Sequence, residues 1–539
     1  MIIPIHTATI FGISACLVEV EVDTRRGLPG ENIVGLPNAV VKESKNRIKA
    51  AIRQSGFEYP LLSYTINLAP ADLKKVGAFL DLPIAVAILC ATKQLKFPKK
   101  TIFVGELSLS GNLRPISGLA AIGQLAKAEN FETIIFPTGN LSESDYITDI
   151  NLVNLSTLSE LKDKWIPTLN NQLPPDSSPI GVNKNSFSQI SGHAFAKRGA
   201  LIAAAGGHNM LLVGPPGSGK SMLATAIPGI LPHLSDSELL EKISIHSIKN
   251  KTKIGENKKN MKTVFSRTPP ISAPHHTVSS VGLVGGGFKG TPGELSLAHR
   301  GILFLDELTE FSSTTLESLR TPLETQSITI SRMAYSLTLP CDCMLIAAMN
   351  PCVCGYYGSS TRQCKCSEQV LNKYWRKISG PLLDRFDMVI YMNPVPIDDI
   401  LNKTTSSPAK LGKNIGIKTN TDEPTRQAND KNDGLNQTDL HKEDLSISFK
   451  QQSIDARHAQ NKRQKNINSR LSPHQISMYC RLSQPCQTLV QKYAKQKKLT
   501  SRGIHKLLKI SRTIADLENC IDIDETHILE AVSFKQSVF

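Results

Sequence analysis

Gly214-Pro-Pro-Gly-Ser-Gly-Lys-Ser221 carries the spacing of a phosphate-cradling P-loop. It follows the apolar run Met210-Leu-Leu-Val213, which reads as a short buried strand, and precedes Met222-Leu-Ala-Thr-Ala-Ile227, which reads as the start of a helix. Strand, glycine-rich turn and helix together are the context the chemistry needs. Gly214, Gly217 and Gly219 let backbone N–H groups turn inward around phosphate oxygens, with Pro215, Pro216 and Ser218 completing the loop. In such a loop Lys220 reaches the β/γ-phosphates and the Ser221 hydroxyl ligates Mg²⁺. A glycine-rich turn with a chance lysine is the competing reading, and it leaves the fully occupied motif unexplained.

A second stretch reinforces the first. Gly301-Ile-Leu-Phe-Leu-Asp-Glu-Leu308 is an apolar run ending in paired carboxylates, as expected of a buried parallel strand that stops at a ligand crevice. Asp306 is placed to hold the Mg²⁺ shell, and Glu307 to polarise the water that attacks the γ-phosphate. An acidic pair could also merely cap the next helix. Beside a P-loop, the pair predicts an ATPase with ATP and Mg²⁺ as cofactors.

The 539 residues exceed what one hydrophobic core organises and suggest about three domains. No uninterrupted apolar run reaches the roughly 18 residues of a membrane span. The nearest, Phe79 to Ala91, contains Asp81 and Pro83. The start, Met1-Ile-Ile-Pro-Ile-His6, lacks a basic signal-peptide region, so the eleven cysteines are expected as free or metal-bound thiols in a cytoplasmic protein. The net charge of +15 is localised: Ala456 to Ala515 holds 14 Lys/Arg and no Asp or Glu. A polyanion, above all nucleic acid, is one partner for such a stretch; a solvated helical surface or a subunit interface is the other reading.

Residues 1–172 alternate strand-like and helix-like stretches and form one α/β domain. Strands are expected at Ala15–Val22, Ser63–Leu68 and Thr133–Phe136, and helices at Ala39–Ser55 and Gly118–Glu129. Residues 173–188 read as a turn-rich linker, and 189–396 as the ATPase core. Residues 397–455, rich in Asn, Thr, Lys and Asp, read as a largely disordered insertion, and 456–539 as a basic helical lid in which Leu499-Thr-Ser-Arg-Gly503 supplies a helix cap.

Ala347-Ala-Met-Asn-Pro351 and Gly380-Pro-Leu-Leu-Asp-Arg-Phe-Asp387 add a polar Asn350 at a strand end and an arginine, Arg385, downstream. With the P-loop and the Asp306/Glu307 pair, these strings resemble the sensor and arginine-finger elements of an AAA+ ATPase. More closely, the chain resembles the magnesium-chelatase-like ComM/YifB family. The strings that carry this are Gly35-Leu-Pro-Asn38, Asn67-Leu-Ala-Pro-Ala-Asp72, Ala273-Pro-His-His-Thr277, Pro292-Gly-Glu-Leu-Ser-Leu-Ala-His299 and Ser511-Arg-Thr-Ile-Ala-Asp-Leu517. The resemblance spans nearly the whole chain apart from about Leu401 to Gln452. It implies a homo-hexameric ring with ATP between subunits, Asn350 orienting the hydrolytic water, Arg385 reaching a neighbour's site, and Arg502 as a second sensor. Arg512 competes with Arg502 for that role, and a salt bridge to Asp384 or Asp387 is the alternative for Arg385. Ser279 to Gly293 is glycine-rich, and the resemblance points to an inserted, pore-facing hairpin there. The adjacent His275 and His276 read as packing or hydrogen-bonding residues.

The N-terminal part resembles the Lon-protease domain through Gly105-Glu-Leu-Ser-Leu-Ser-Gly111 and Pro115-Ile-Ser-Gly-Leu119. Its nucleophile region, Gly77-Ala-Phe-Leu-Asp-Leu82, has no Ser, and Ala120-Ala121 stand where the lysine would be, so no peptidase activity is expected. Cys352, Cys354, Cys364 and Cys366 form two C-x-C pairs that suit Zn²⁺, with metal-free reduced thiols as the alternative and Cys341 and Cys343 obscuring the count.

The resulting expectation is an AAA+ motor that binds branched or single-stranded DNA independently of sequence. Recombination proteins are possible partners, and no membrane is involved. The resemblance implies branch migration or helicase action in homologous recombination and natural transformation. The alternative is a protein-remodelling or metal-insertion chaperone of the magnesium-chelatase motor type.

Overall fold

The computed structural model describes residues 4–71, 75, 77–163, 167–174, 186–249, 265–287, 290–332, 335–359, 362–394 and 437–535. Its N-terminal unit is built on an eight-stranded mixed sheet in the order 168–169, 151–155, 133–137, 101–103, 5–11, 14–25, 63–69 and 30–34. Helix Ala39–Gln54 packs on helix Asp81–Ala91, which with helix Leu119–Ala128 packs on the sheet. The first is started by Asn38, whose side chain accepts from the Val41 amide at 2.9 Å. Where a Lon-type nucleophile would stand, Phe79 and Leu80 are buried, and Ala120 and Ala121 are buried as well.

A five-stranded, wholly parallel sheet forms the centre of the second unit, in the order Ile271–Ser272, Ile302–Leu305, Met344–Met349, Met210–Val213 and Met388–Tyr391. The continuous apolar runs follow from burial on both faces. Met210, Leu212, Ile302 and Phe304 face one hydrophobic cluster, while Leu211, Val213, Leu303 and Leu305 face the other. This α/β parallel-sheet core and the helical C-terminal region are the expected architecture.

The boundaries shift. Phe187, assigned by the sequence to the linker, is buried in the first cluster, so the core begins before it; 175–185 lie outside the described residues. Of the polar insertion, 395–436 also lie outside them, but from Gln437 the chain is one helix running to Gln464. Leu445 and Phe449 of that helix pack on the core, which explains why a polar composition still gives order there: tertiary contact supplies what local sequence lacks. The expected separate lid shares the same cluster. Leu507, Ile510 and Ile514 of helix Ser501–Leu517, capped by Thr500, and Phe534 stacked on Phe195 at 4.5 Å all belong to it.

The two units touch through specific contacts. The Gly118 amide donates to Ser247 Oγ at 2.6 Å, Ser247 donates to the buried Glu143 at 2.7 Å, and Tyr146 stacks on Phe265 at 5.1 Å. A hairpin unforeseen in the sequence, Ser327–Arg332 with Tyr335–Pro340, lies against the N-terminal unit: a Cβ at Gly12 would sit 2.0 Å from Leu337 Cδ1. The glycine-rich segment forms a short antiparallel pair, Gly285–Gly286 with Thr291–Pro292. Among the described residues, no helix is long and apolar enough to cross a membrane.

Candidate functional site

Parallel register brings the carboxyl ends of three strands into line. Val213 pairs with Met349 and Leu305 with Ala347, so the residues that follow, Gly214, Asn350 and Asp306, emerge at one sheet edge. The Gly214 amide donates to the Met349 carbonyl at 3.2 Å, stitching the P-loop to the neighbouring strand.

Gly217 and Gly219 have φ of 76° and 82°, which turns the loop before helix Lys220–Ala226. Within that turn the Ser218 hydroxyl is buried with no hydrogen-bond partner among the described residues. Lys220 folds back to donate to the Gly214 carbonyl at 2.8 Å, to the Pro215 carbonyl at 2.9 Å, and to Asn350 Oδ1 at 3.3 Å. Burial pushes its ammonium below the ordinary value, while the charges of Asp306 and Glu307 pull it back up. Ser221 Oγ donates to Asp306 Oδ2 at 2.7 Å, and the other oxygen of Asp306 accepts from the Glu307 amide at 2.9 Å.

Glu307 adopts a left-handed backbone, φ 50° and ψ 51°, and its side chain is 62% exposed at the strand end. A non-glycine residue held this way is a strained position of the kind that clusters at functional sites. His276 Nδ1 lies 3.8 Å from Glu307 Oε2, and the His275 ring lies 4.0 Å from that of His276. The sequence reads His275 and His276 as packing or hydrogen-bonding residues, and His275 Nδ1 does lie 3.0 Å from Thr277 Oγ1, but it does not single out Glu307 as the neighbour of His276. Their place just after strand Ile271–Ser272, which joins the same sheet, was the available signal.

Arg385 and Arg502 meet elsewhere, at Glu324. Arg385 Nη2 is 2.8 Å from Glu324 Oε1, and Arg502 bonds the same oxygen. Neither Asp384 nor Asp387 takes the Arg385 guanidinium: Asp387 accepts from the Asn209 amide at 3.0 Å and lies 3.4 Å from Lys506. Burial, then the neighbouring Arg502 charge, pushes Arg385 below its usual range; the Arg502 hydrogen bond holds Glu324 below the usual carboxylate range. Arg512 is buried and bonded to Asp516 and to the Cys520 and Ile521 carbonyls, whereas Arg502 is half exposed.

The basic stretch is less available than its composition suggests. Arg457, Arg463, Arg470, Arg502, Lys506, Lys509 and Arg512, half of the 14, bond carbonyls or carboxylates within the chain. Lys462, Lys465, Arg481, Lys492, Lys495, Lys497 and Lys498 are exposed. The expected cysteine set also assembles: the sulfurs of Cys352, Cys354, Cys364 and Cys366 all lie within 4.8 Å of one another.

Sequence likeness to known proteins extends over most of the chain. Residues 186–400 match the family "Magnesium chelatase, subunit ChlI", residues 20–140 match "Subunit ChlI of Mg-chelatase", and residues 443–535 match "Magnesium chelatase, subunit ChlI C-terminal". The uncharacterized protein YifB of Escherichia coli is 37% identical over 538 residues, 98% of this chain and 96% of its own. Competence protein ComM of Haemophilus influenzae is 35% identical over 547 residues, 99% of this chain and 97% of its own. A shorter likeness, 27% identical over 230 residues, covers 40% of this chain and 27% of an uncharacterized MCM-type protein of Methanocaldococcus jannaschii. Near-full-length identity of this order, on a parallel sheet that carries a P-loop at its edge, settles the relationship: the chain belongs to the magnesium-chelatase-like ComM/YifB family of AAA+ proteins.

Proposed function

We propose that this chain is an ATP-hydrolysing ring motor that acts on DNA, driving branch migration or strand separation of joint molecules during homologous recombination and natural transformation. The observation that carries the reading is the shared sheet edge at which Lys220, Ser221, Asp306, Glu307 and Asn350 lie together. Support for DNA comes from the likeness to a competence protein and from the exposed lysines Lys492, Lys495, Lys497 and Lys498.

The residues fit ATP with Mg²⁺. The turn at Gly217 and Gly219, the unpartnered Ser218 hydroxyl and the Lys220 ammonium suit phosphate oxygens, and the Ser221/Asp306 oxygen pair suits a hard cation. When bound, Mg²⁺·ATP supplies the transferable phosphoryl group, with the metal as Lewis acid. Lys220 neutralises phosphate charge. Glu307, freely exposed beside His276, accepts the proton of the attacking water, and Asn350 orients that water. Arg385 serves a neighbouring copy's site, so turnover depends on assembly, and Arg502 acts as a second sensor.

The chelatase-family matches favour one second reading, a remodelling or metal-insertion chaperone. ATPase rate with and without forked or four-way DNA, scored with strand separation, decides between them. The motor reading expects structure-specific stimulation and ATP-dependent strand movement, both lost in Lys220→Ala. No DNA binding at low salt would sink it and favour the chaperone.

A further inference from the structure

The four clustered cysteines lie outside the reaction just described, yet they begin two residues after Asn350. Their sulfur separations are 3.3 Å for Cys352–Cys354, 3.5 Å for Cys354–Cys364 and 3.7 Å for Cys352–Cys364. A tetrahedral ion with metal–sulfur bonds of about 2.3 Å has sulfur–sulfur edges of about 3.8 Å. A disulfide needs about 2.05 Å, much less than any of these separations. A multi-iron cluster hangs its thiolates on different iron atoms, and so spreads them farther apart. One ion at the centre matches.

Backbone donors face the sulfurs. The Tyr357 amide points at Cys352 Sγ at 3.3 Å, and the Cys366 amide at Cys364 Sγ at 3.4 Å. Amide donors favour and orient thiolates, as the outer shell of a metal site does. Four thiolates this close repel one another unless a cation lies between them. The other C-x-C pair does not compete: Cys341 and Cys343 are buried in the apolar cluster beneath the sheet, and Cys341 Sγ lies against the Pro322 carbonyl at 3.5 Å.

The cysteine loop is wedged against the site. A Cβ at Gly355 would sit 2.7 Å from Pro216 Cδ, so its backbone lies flush on the P-loop. Trp375 Nε1 donates to the Pro351 carbonyl at 3.0 Å, Tyr374 donates to the Asn350 carbonyl at 3.1 Å, and the Tyr357 and Trp375 rings meet edge-on at 5.4 Å. We infer that Cys352, Cys354, Cys364 and Cys366 hold one Zn²⁺ as thiolates, and that this ion is a strut that fixes the P-loop through Gly355 and Pro216. The strut rests on reading the P-loop as the nucleotide site; the metal assignment does not.

The test uses the full chain purified without chelator. Metal analysis, with zinc released by a mercurial thiol reagent, should give about one Zn²⁺ per chain. Binding of fluorescent mant-ATP should weaken about tenfold or more when zinc is stripped anaerobically, and recover when Zn²⁺ is returned. Cys364→Ser/Cys366→Ser should lose the metal, whereas Cys341→Ser should keep it. Lys220→Ala should keep zinc while losing mant-ATP, which separates failure of the nucleotide reading from failure of this one. Zinc near zero with thiols free or paired as disulfides by mass spectrometry, or zinc retained in the double variant, overturns the metal site. Stoichiometric zinc with mant-ATP affinity unchanged by stripping overturns the strut.

Discussion

Arg385 and Arg502, 117 positions apart in the chain, converge on a single carboxylate oxygen of Glu324. Two guanidiniums on one acceptor repel each other once that acceptor is lost, so Glu324 fixes the spacing of both arginines. Arg385→Ala is expected to leave mant-ATP binding intact while lowering turnover by roughly 10³-fold, the scale of an arginine supplied in trans. Mixing Arg385→Ala chains with Lys220→Ala chains should restore part of the rate, because each supplies what the other lacks. Mixtures no faster than either variant alone would show that Arg385 does not act across an interface.

Glu307 and His276 form the second testable pair, at 3.8 Å. Glu307→Gln should still bind nucleotide but lose about 10²-fold or more in rate, as expected when a general base is removed. His276→Ala should cost less, about tenfold in kcat with KM unchanged, because it only positions the carboxylate. A raised KM with kcat unchanged would instead assign His276 to nucleotide binding.

Two interior histidines predict the pH dependence of stability. Burial holds His208 down at about 4, with its Nε2 on Thr513 Oγ1 at 2.8 Å. Burial likewise holds His246 down at about 4, against the Leu297 carbonyl at 3.1 Å. Unfolding frees both to bind protons near pH 6.5, so the unfolded chain takes up more protons than the folded one between these values. Stability is therefore full above pH 6.5 and falls as pH drops toward 4, by up to about 1.4 kcal/mol per unit for each histidine. Thermal melts between pH 7.5 and 5 should show Tm falling. A flat or rising Tm would contradict the buried neutral state.

Surface and interior cations should separate cleanly. Replacing Lys492, Lys495, Lys497 and Lys498 with Gln should reduce the salt slope of duplex binding by up to about 3.6, at roughly 0.9 per phosphate contact. Arg463→Gln should leave that slope alone and cost stability, about 1.5–3 kcal/mol, because Arg463 bonds the buried Asp516 at 2.7 and 2.9 Å. Titrations at several salt concentrations, alongside denaturant unfolding, read both quantities. An unchanged slope in the lysine variant would move DNA contact away from helix Gln484–Gln496.

Much of this protein was legible locally. The P-loop, the Asp306/Glu307 pair and Asn350 could be named from the sequence because each depends on a few adjacent residues: an apolar run buried on both faces, a glycine where the backbone turns, a polar group at the strand end. The helix cap at Thr500 belongs to the same class. Only the tertiary structure decided which residues far apart in the chain meet. It placed His276 at Glu307, joined Arg385 and Arg502 at Glu324, and tied half of a basic stretch to carboxylates and carbonyls within the chain. It also ordered the polar chain from Gln437 by packing Leu445 and Phe449 on the core. Such pairings are fixed by packing and desolvation across long sequence separations, and composition and spacing carry no record of them.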